Sequence, residues 1–234
     1  MKAKDVINEL QQFADPVKAT HNYRFFKAFD GGYGEGDEFL GIKVPDQRRI
    51  AKQYEKLPLQ EVQTLLNNKY HEVRLTASII LTYKVRKKDP EILKEVADFY
   101  LRNLSAMNNW DLIDTSSHKI LGPYLESKDR SILYELAKSD DLWHNRIAVI
   151  TCLYFIDRRD FNDALAIAEI LVDHKHDLIH KAVGWMLREI GKRDRAAEEK
   201  FLIKHYRSMP RTMLRYAIEK FEEPLRQQYL KGKL

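Results

Sequence analysis

Trp110 and Asp114 are the residues whose types and spacing point most directly to chemistry. Asn108 or Asn109 can cap a helix that starts beside them, and residues four apart on a helix share one face. An indole offers the negative face of its ring and a carboxylate offers a full charge, so the pair can stabilise a cationic ligand or an oxocarbenium-like transition state. The structural alternative is that Trp110 anchors the core and that Asp114 lies in the first turn to complement the helix dipole.

A second aromatic and charged pair, Trp143 and Arg146, precedes the strongly apolar residues 147–154. Asp140 or Asp141 can cap a helix there. An arginine just ahead of a buried stretch either extends to solvent or meets an anion, and a phosphate suits its planar guanidinium group. Trp143 can belong to the core, to a ligand surface, or to both.

A third segment places Trp185 and Arg188 three residues apart, which puts them on one helix face. Gly184 removes a side chain beside the indole, although a glycine costs about 1 kcal/mol in a helix interior relative to alanine. Either a ligand or a closely packed helix explains this glycine, and helix packing is the commoner cause.

Other patterns argue against a metal, a cofactor or a hydrolase triad. His176 and His180 are four apart but lack the interposed glutamate and the further ligands of a zinc site. Residues 30–37 are rich in glycine without the spacing of a dinucleotide or phosphate loop, and we interpret them as a mobile connection. Ser116 and Ser117 have no glycine-serine-glycine elbow around them. We therefore predict no metal and no cofactor.

The elements that must position these residues are helical. Apolar residues recur at spacings of three and four, and Gly, Pro and Asp residues separate them into about a dozen helices. Asp89 is predicted to cap one helix and Gly191 to end another in a left-handed conformation. Helical hairpins that stack as a solenoid with one concave surface are the favoured architecture, and a compact irregular bundle is the rival.

We predict a single domain over residues 1–234. It comprises an N-terminal helical pair at 1–30, a glycine-rich connection at 31–41 and a repeat array at 42–234. A single cysteine, Cys152, and an N-terminus without a long apolar segment predict a reducing cytoplasm, and no apolar run is long enough to cross a membrane.

The net charge of +5 makes a polyanionic partner plausible. The positive charge is uneven and concentrates in two clusters, part of which must be ordinary solvated helix surface. The clusters are Lys84, Arg86, Lys87 and Lys88, and Lys200, Lys204, Arg207, Arg211 and Arg215.

Five segments together resemble the AlkD-type DNA alkylation repair glycosylases, and the likeness runs from about Tyr33 to Phe221. The segments are GEGDEFLGIKVP at 34–45, WDLID at 110–114, LWHNR at 142–146, HKAVGWMLRE at 180–189 and RYAIEK at 215–220. Each is weak alone, but their combination in this order is specific.

The resemblance implies an all-α solenoid of HEAT-like antiparallel helical repeats whose concave, basic face holds duplex DNA. It also implies a monomeric, monofunctional glycosylase that removes cationic N3- and N7-alkylated purines, such as 3-methyladenine and 7-methylguanine, and that leaves the lesion stacked instead of extruding it. Asp114 would then be the catalytic carboxylate, and Trp110 and Trp185 the cleft indoles. The DNA-binding residues would be Arg146, Arg188, Trp143 and Lys181.

The alternative is a noncatalytic helical-repeat module that binds damaged or branched DNA, or a protein, through the same surface. The two hypotheses separate at Asp114. A binding module gains nothing from a carboxylate beside a phosphate track, whereas a glycosylase requires one.

Overall fold

A computed structural model describes residues 1–87 and 89–234, and within these ranges the chain is all-α, as predicted. No strand occurs in the described part; its one bridge joins Glu38 and Tyr70. The chain forms two compact units, Met1–Ile120 and Leu121–Leu234. No helix in the described ranges is both long enough and apolar enough to cross a membrane. Lys88, a member of the first predicted basic cluster, lies outside the described residues.

The first unit is built from helices whose order follows the chain. They are α1 (Ala3–Gln11), α2 (Pro16–Phe25), α3 (Val44–Gln53), α4 (Leu59–Leu66), α5 (His71–Lys84), α6 (Pro90–Arg102) and α7 (Trp110–Leu125), with α7 belonging to this unit as far as Ile120. Single 3₁₀ turns occupy Val85–Lys87 and Leu104–Ala106. Helix α5 is central, because every residue from His71 to Thr82 is buried and the helix packs against α3, α4 and α6.

Helix α2 is attached differently, because none of its residues is buried. The Asp15 side chain caps it by accepting from the N–H groups of Val17 and Lys18. Gly41 has a φ of +79° and packs against the backbone at the start of α2. A Cβ at this position would lie 2.1 Å from the Asp15 carbonyl oxygen. The helix is therefore held at its ends and by backbone contact, not by an apolar face.

The second unit contains α8 (Ser131–Ala137), α9 (Leu142–Thr151), α10 (Leu153–Ile156), α11 (Asn162–Ile170), α12 (Asp177–Gly191), α13 (Arg195–His205), α14 (Arg211–Ala217) and α15 (Glu223–Lys231), with a 3₁₀ turn at Ile218–Lys220. Helix α12 is central here and packs against α9, α13 and α14. A Cβ at Gly184 would lie 2.5 Å from the Met213 carbonyl oxygen and 2.6 Å from Cβ of Tyr216, so close packing against α14 explains this glycine.

The predicted helix boundaries are confirmed at two aspartates and wrong at one glycine. Asp89 caps α6 and Asp141 caps α9, each through its side-chain carboxylate. Gly191 does not adopt a left-handed conformation: the glycines with positive φ among the described residues are Gly31, Gly36, Gly41 and Gly232. A Cβ at Gly191 would instead lie 1.7 Å from Oε2 of Glu198, so the residue is small because a neighbouring carboxyl group packs against it.

Candidate functional site

The indole of Trp110 lies at the first position of α7, on an aromatic surface. Asn109 precedes the helix, and its carboxamide oxygen accepts from the Trp110 N–H at 2.9 Å. The indole stacks on Phe26 with ring centroids 5.4 Å apart and meets Phe25 edge-on at 5.9 Å. Trp110 is half-buried and therefore packs on two phenylalanines without being a core anchor.

Asp114 follows Trp110 by one helical turn and is also half-buried. The four-residue spacing within one continuous helix places both side chains on the same side of α7. Burial, and to a smaller extent the negative charge of Asp114, raise the pKa of the Tyr100 hydroxyl, which hydrogen-bonds to Ser116 Oγ at 3.0 Å. Asp114 therefore brings its charge close to a buried tyrosine, while the indole one turn earlier faces an aromatic wall.

A chain of buried charges underlies the start of α7. His71, at the start of α5, hydrogen-bonds through Nε2 to Oδ2 of Asp111 at 2.8 Å and through Nδ1 to Oδ2 of Asp37 at 3.0 Å. The second oxygen of Asp37 accepts from Nη2 of Arg74 at 2.5 Å. Arg74, Asp37, His71 and Asp111 thus connect the glycine-rich segment to both α5 and α7.

The protonation of His71 follows from these contacts. Burial opposes its charge, but the carboxylates of Asp111 and Asp37 outweigh that effect and raise the pKa of His71 to about 9. Burial likewise opposes ionisation of Asp37, while the His71 hydrogen bond and the charge of Arg74 lower the pKa of that carboxyl group. At neutral pH His71 is therefore protonated and Asp37 ionised.

A cavity of about 380 Å³ opens beside Trp110 within the first unit. Residues of α2, α3, α5 and α7 line it, together with the segment that leads into α3. Its aromatic lining comes from Phe25, Phe26 and Trp110. No feature of the sequence indicated this cavity, because its walls come from segments far apart along the chain.

Arg146 in the second unit is buried, at 5% exposure, and does not extend to solvent. Its Nη1 donates to the carbonyl oxygen of Leu178 at 2.7 Å. Trp143, near the start of the same helix, is half-buried. Its backbone N–H donates to Oδ1 of Asp141 at 2.7 Å. The DNA-binding role predicted for both residues stays a prediction.

The remaining predicted residues lie along α12. The Trp185 Nε1–H donates to Oε1 of Glu189 at 3.2 Å, and Lys181 pairs with Asp177 at 2.6 Å. Arg188 forms an ion pair with Glu219 through Nη1. Trp110 and Asp114 thus share a face of α7, and the other aromatic and cationic residues lie on α9 and α12. That all of them converge on one surface stays a prediction.

Comparison with known proteins identifies the family. The family model described as DNA alkylation repair enzyme matches residues 6–221. A solved structure described as a predicted DNA alkylation repair enzyme from Enterococcus faecalis superimposes with a TM-score of 0.71 at 17% identity, covering 90% of this chain and 97% of that one; the likeness shows a shared fold. Comparison with curated protein sequences gave no significant match. Because the family model spans nearly the whole sequence, the chain belongs to the DNA alkylation repair enzyme family.

Proposed function

We propose that the protein is a monofunctional DNA glycosylase that hydrolyses the N-glycosidic bond of N3- and N7-alkylated purines, including 3-methyladenine and 7-methylguanine, in duplex DNA. The observation that carries the proposal is the pairing of Trp110 and Asp114 on one side of α7, above a chain of buried charges. We further propose that it acts as a cytoplasmic monomer, through a basic concave surface of HEAT-like repeats.

The chemistry of the substrate fits this pair. Alkylation makes the purine cationic, so the C1′–N bond breaks with its electron pair moving to the base, and the sugar develops positive charge. Water then adds to C1′ and loses a proton. Such an enzyme gains most by stabilising the positive charge on the sugar, which an ionised Asp114 and the negative face of an indole both do.

Phosphate contacts are best supported in the first unit, where Arg48, Arg86 and Lys119 lie near one another. Burial, and to a smaller extent the charges of Arg48 and Arg86, lower the pKa of Lys119, so three cations repel one another here. Arg86 stacks over the ring of Tyr83, whose hydroxyl donates to the Arg48 carbonyl oxygen at 3.5 Å. A DNA phosphate placed here would relieve the repulsion.

The predicted C-terminal basic cluster contributes less than its composition suggested. Lys204 pairs with Glu169 at 2.6 Å, Arg207 donates to the Leu234 carbonyl oxygen at 2.7 Å, and Arg211 donates to that of Leu230 at 2.6 Å. These internal contacts compete with phosphate, which favours the first-unit cations as the stronger DNA contacts.

The catalytic assignment is tested with Asp114→Asn, which keeps the shape of the side chain and removes its charge. We expect single-turnover release of 7-methylguanine from methylated duplex DNA to fall on the order of a hundredfold or more. Melting temperature and affinity for undamaged DNA should stay near wild type, because Asp114 lies beyond the first turn of α7 and a contact with the helix dipole is worth only about 1 kcal/mol. Asp98→Asn, at an acid that pairs with Lys94 on α6, is the matched control. An unchanged rate in Asp114→Asn would leave the noncatalytic binding module as the better hypothesis.

The phosphate contacts are tested by salt titration of DNA affinity. We expect Lys119→Ala to reduce the slope of log affinity against log salt by about one unit, since each neutralised phosphate contributes about 0.9. Lys94→Ala, which removes a lysine paired with Asp98, should leave the slope unchanged. Equal slopes for the two variants would show that the first-unit cations do not contact phosphates.

A further inference from the structure

The cavity beside Trp110 has a definite wall chemistry. Phe26 lies between two rings, stacking on Trp110 at 5.4 Å and on Phe39 at 5.4 Å. Phe25 meets both Phe26 and Trp110 edge-on, and 54% of it is exposed, so it stands at the opening. Aromatic side chains on a cavity wall are the surfaces on which flat heterocycles stack.

Charge is distributed unevenly between the inner end and the opening of the cavity. Glu72, 2% exposed, and the nearly buried Asp111 lie inside, together with His71. Lys18 and Lys43 also line the cavity; Lys18 is paired with Asp15, whereas Lys43 is exposed. Two carboxylates against one imidazolium make the inner end net negative, while Lys43 adds a positive charge on the exposed side. A ligand with a cationic head and a polar or anionic tail matches this arrangement.

The hydrogen-bonding state of the two carboxylates differs. Glu72 is saturated, because it accepts from the N–H groups of Leu40, Gly41 and Ile42 and from the Asn22 side chain. Asp111 uses Oδ2 for His71, but its Oδ1 is buried without a hydrogen-bond partner among the described residues. An unpaired buried acceptor is unfavourable, so a ligand N–H that reached Oδ1 would remove this cost.

The size of the cavity admits a heterocyclic ligand. Its volume of about 380 Å³ is large enough for one methylated purine base, and the opening leaves space for an attached sugar to extend outwards.

We propose that this cavity binds a methylated purine nucleoside in its cationic form, with the base against Phe25, Phe26 and Trp110, an N–H edge directed to Asp111, and the sugar directed outwards beside Lys43. The choice of a methylated purine among flat cations rests on the proposed function. The binding itself does not, because it requires neither duplex DNA nor Asp114.

The test uses free nucleosides and the full chain. In Trp143→Phe/Trp185→Phe, Trp110 is the only indole, so its fluorescence reports on the cavity alone. We expect 7-methylguanosine, at mildly acidic pH where its base is cationic, to quench Trp110 saturably, and neutral guanosine to bind at least tenfold more weakly. Phe25→Ala in the same background should weaken binding of 7-methylguanosine about tenfold, as expected for loss of one stacking face.

Tyr23→Ala is the matched control, because Tyr23 lies on the same helix, is 44% exposed and does not line the cavity. The affinity of this variant for 7-methylguanosine should equal that of the Trp143→Phe/Trp185→Phe background. Absence of saturable quenching, equal affinity for guanosine, or equal weakening by Phe25→Ala and Tyr23→Ala would each overturn the proposal. Base release from DNA without nucleoside binding would reject only this cavity, and nucleoside binding without base release would reject only the glycosylase.

Discussion

Trp110 lies next to Asp111, which belongs to a buried chain of charged side chains. Trp185 instead donates to Glu189, which belongs to a partly exposed group of ion pairs. His71 and Asp37 in the first chain have side-chain exposures of 1% and 4%. In the second, Glu189 accepts from Trp185 Nε1 and pairs with Lys192 and Arg193, whose side chains are 43% and 27% exposed. Ionic interactions are stronger, and less screened by salt, when they are withdrawn from water.

The difference bears on how each indole is held. Breaking a buried pair leaves an uncompensated charge in the interior. Loss of any one member of the first chain is therefore strongly destabilising, and the chain holds the start of α7 in place. The lysine and arginine around Glu189 can exchange partners with solvent at little cost. We infer that the indole of Trp110 is held more rigidly than the indole of Trp185.

The largest effect that this comparison predicts is at His71. His71→Gln should destabilise the protein by about 3–5 kcal/mol in urea unfolding, since Asp37 and Asp111 both lose their shared cation. The stability that charged His71 contributes is complete below pH 6.5 and is lost as pH rises towards about 9.

His205 in the second unit provides the matched control. His205 is also buried and pairs with Glu169 at 2.7 Å, but Glu169 is 44% exposed, so His205→Gln should cost clearly less than His71→Gln, on the order of 1 kcal/mol. Similar losses for the two histidine variants would remove the distinction between a buried and a solvated ion chain.

How far the sequence predicts these features depends on the range of the interactions. Helix class and the caps at Asp89 and Asp141 follow from neighbouring residues, and the structure confirms them. His71 pairs with partners 34 and 40 residues away, and no local pattern specifies such a contact. The role of Gly191 was missed for the same reason, because the carboxyl group that needs its space belongs to the next helix.

The most strongly pH-dependent effect concerns that carboxyl group, Glu198, which has no counterpart in the first unit's paired chain. Glu198 is 2% exposed and its Oε1 lacks a hydrogen-bond partner within the described residues. Burial raises its pKa from 4.5 to about 8, with the charges of Arg195 and Arg188 opposing the shift and that of Glu199 adding to it. The folded state therefore holds a proton that the unfolded state releases between these two pH values, so stability falls as pH rises from about 4.5 to about 8.

Glu198→Gln places a neutral group of the same shape in this position and should abolish that part of the pH dependence. Below pH 4.5 the variant and the wild type should unfold at similar urea concentrations, because Glu198 is then protonated in both states. Above pH 4.5, the free energy of unfolding of the variant should rise relative to that of the wild type by at most about 1.4 kcal/mol per pH unit. This gain should level off near pH 8. Glu135→Gln, at an exposed glutamate of the same unit, controls for the loss of one negative charge. A constant difference between Glu198→Gln and wild type across this range would show that Glu198 is already ionised in the folded protein, and the interior of the second unit would then have to hold an unpaired charge.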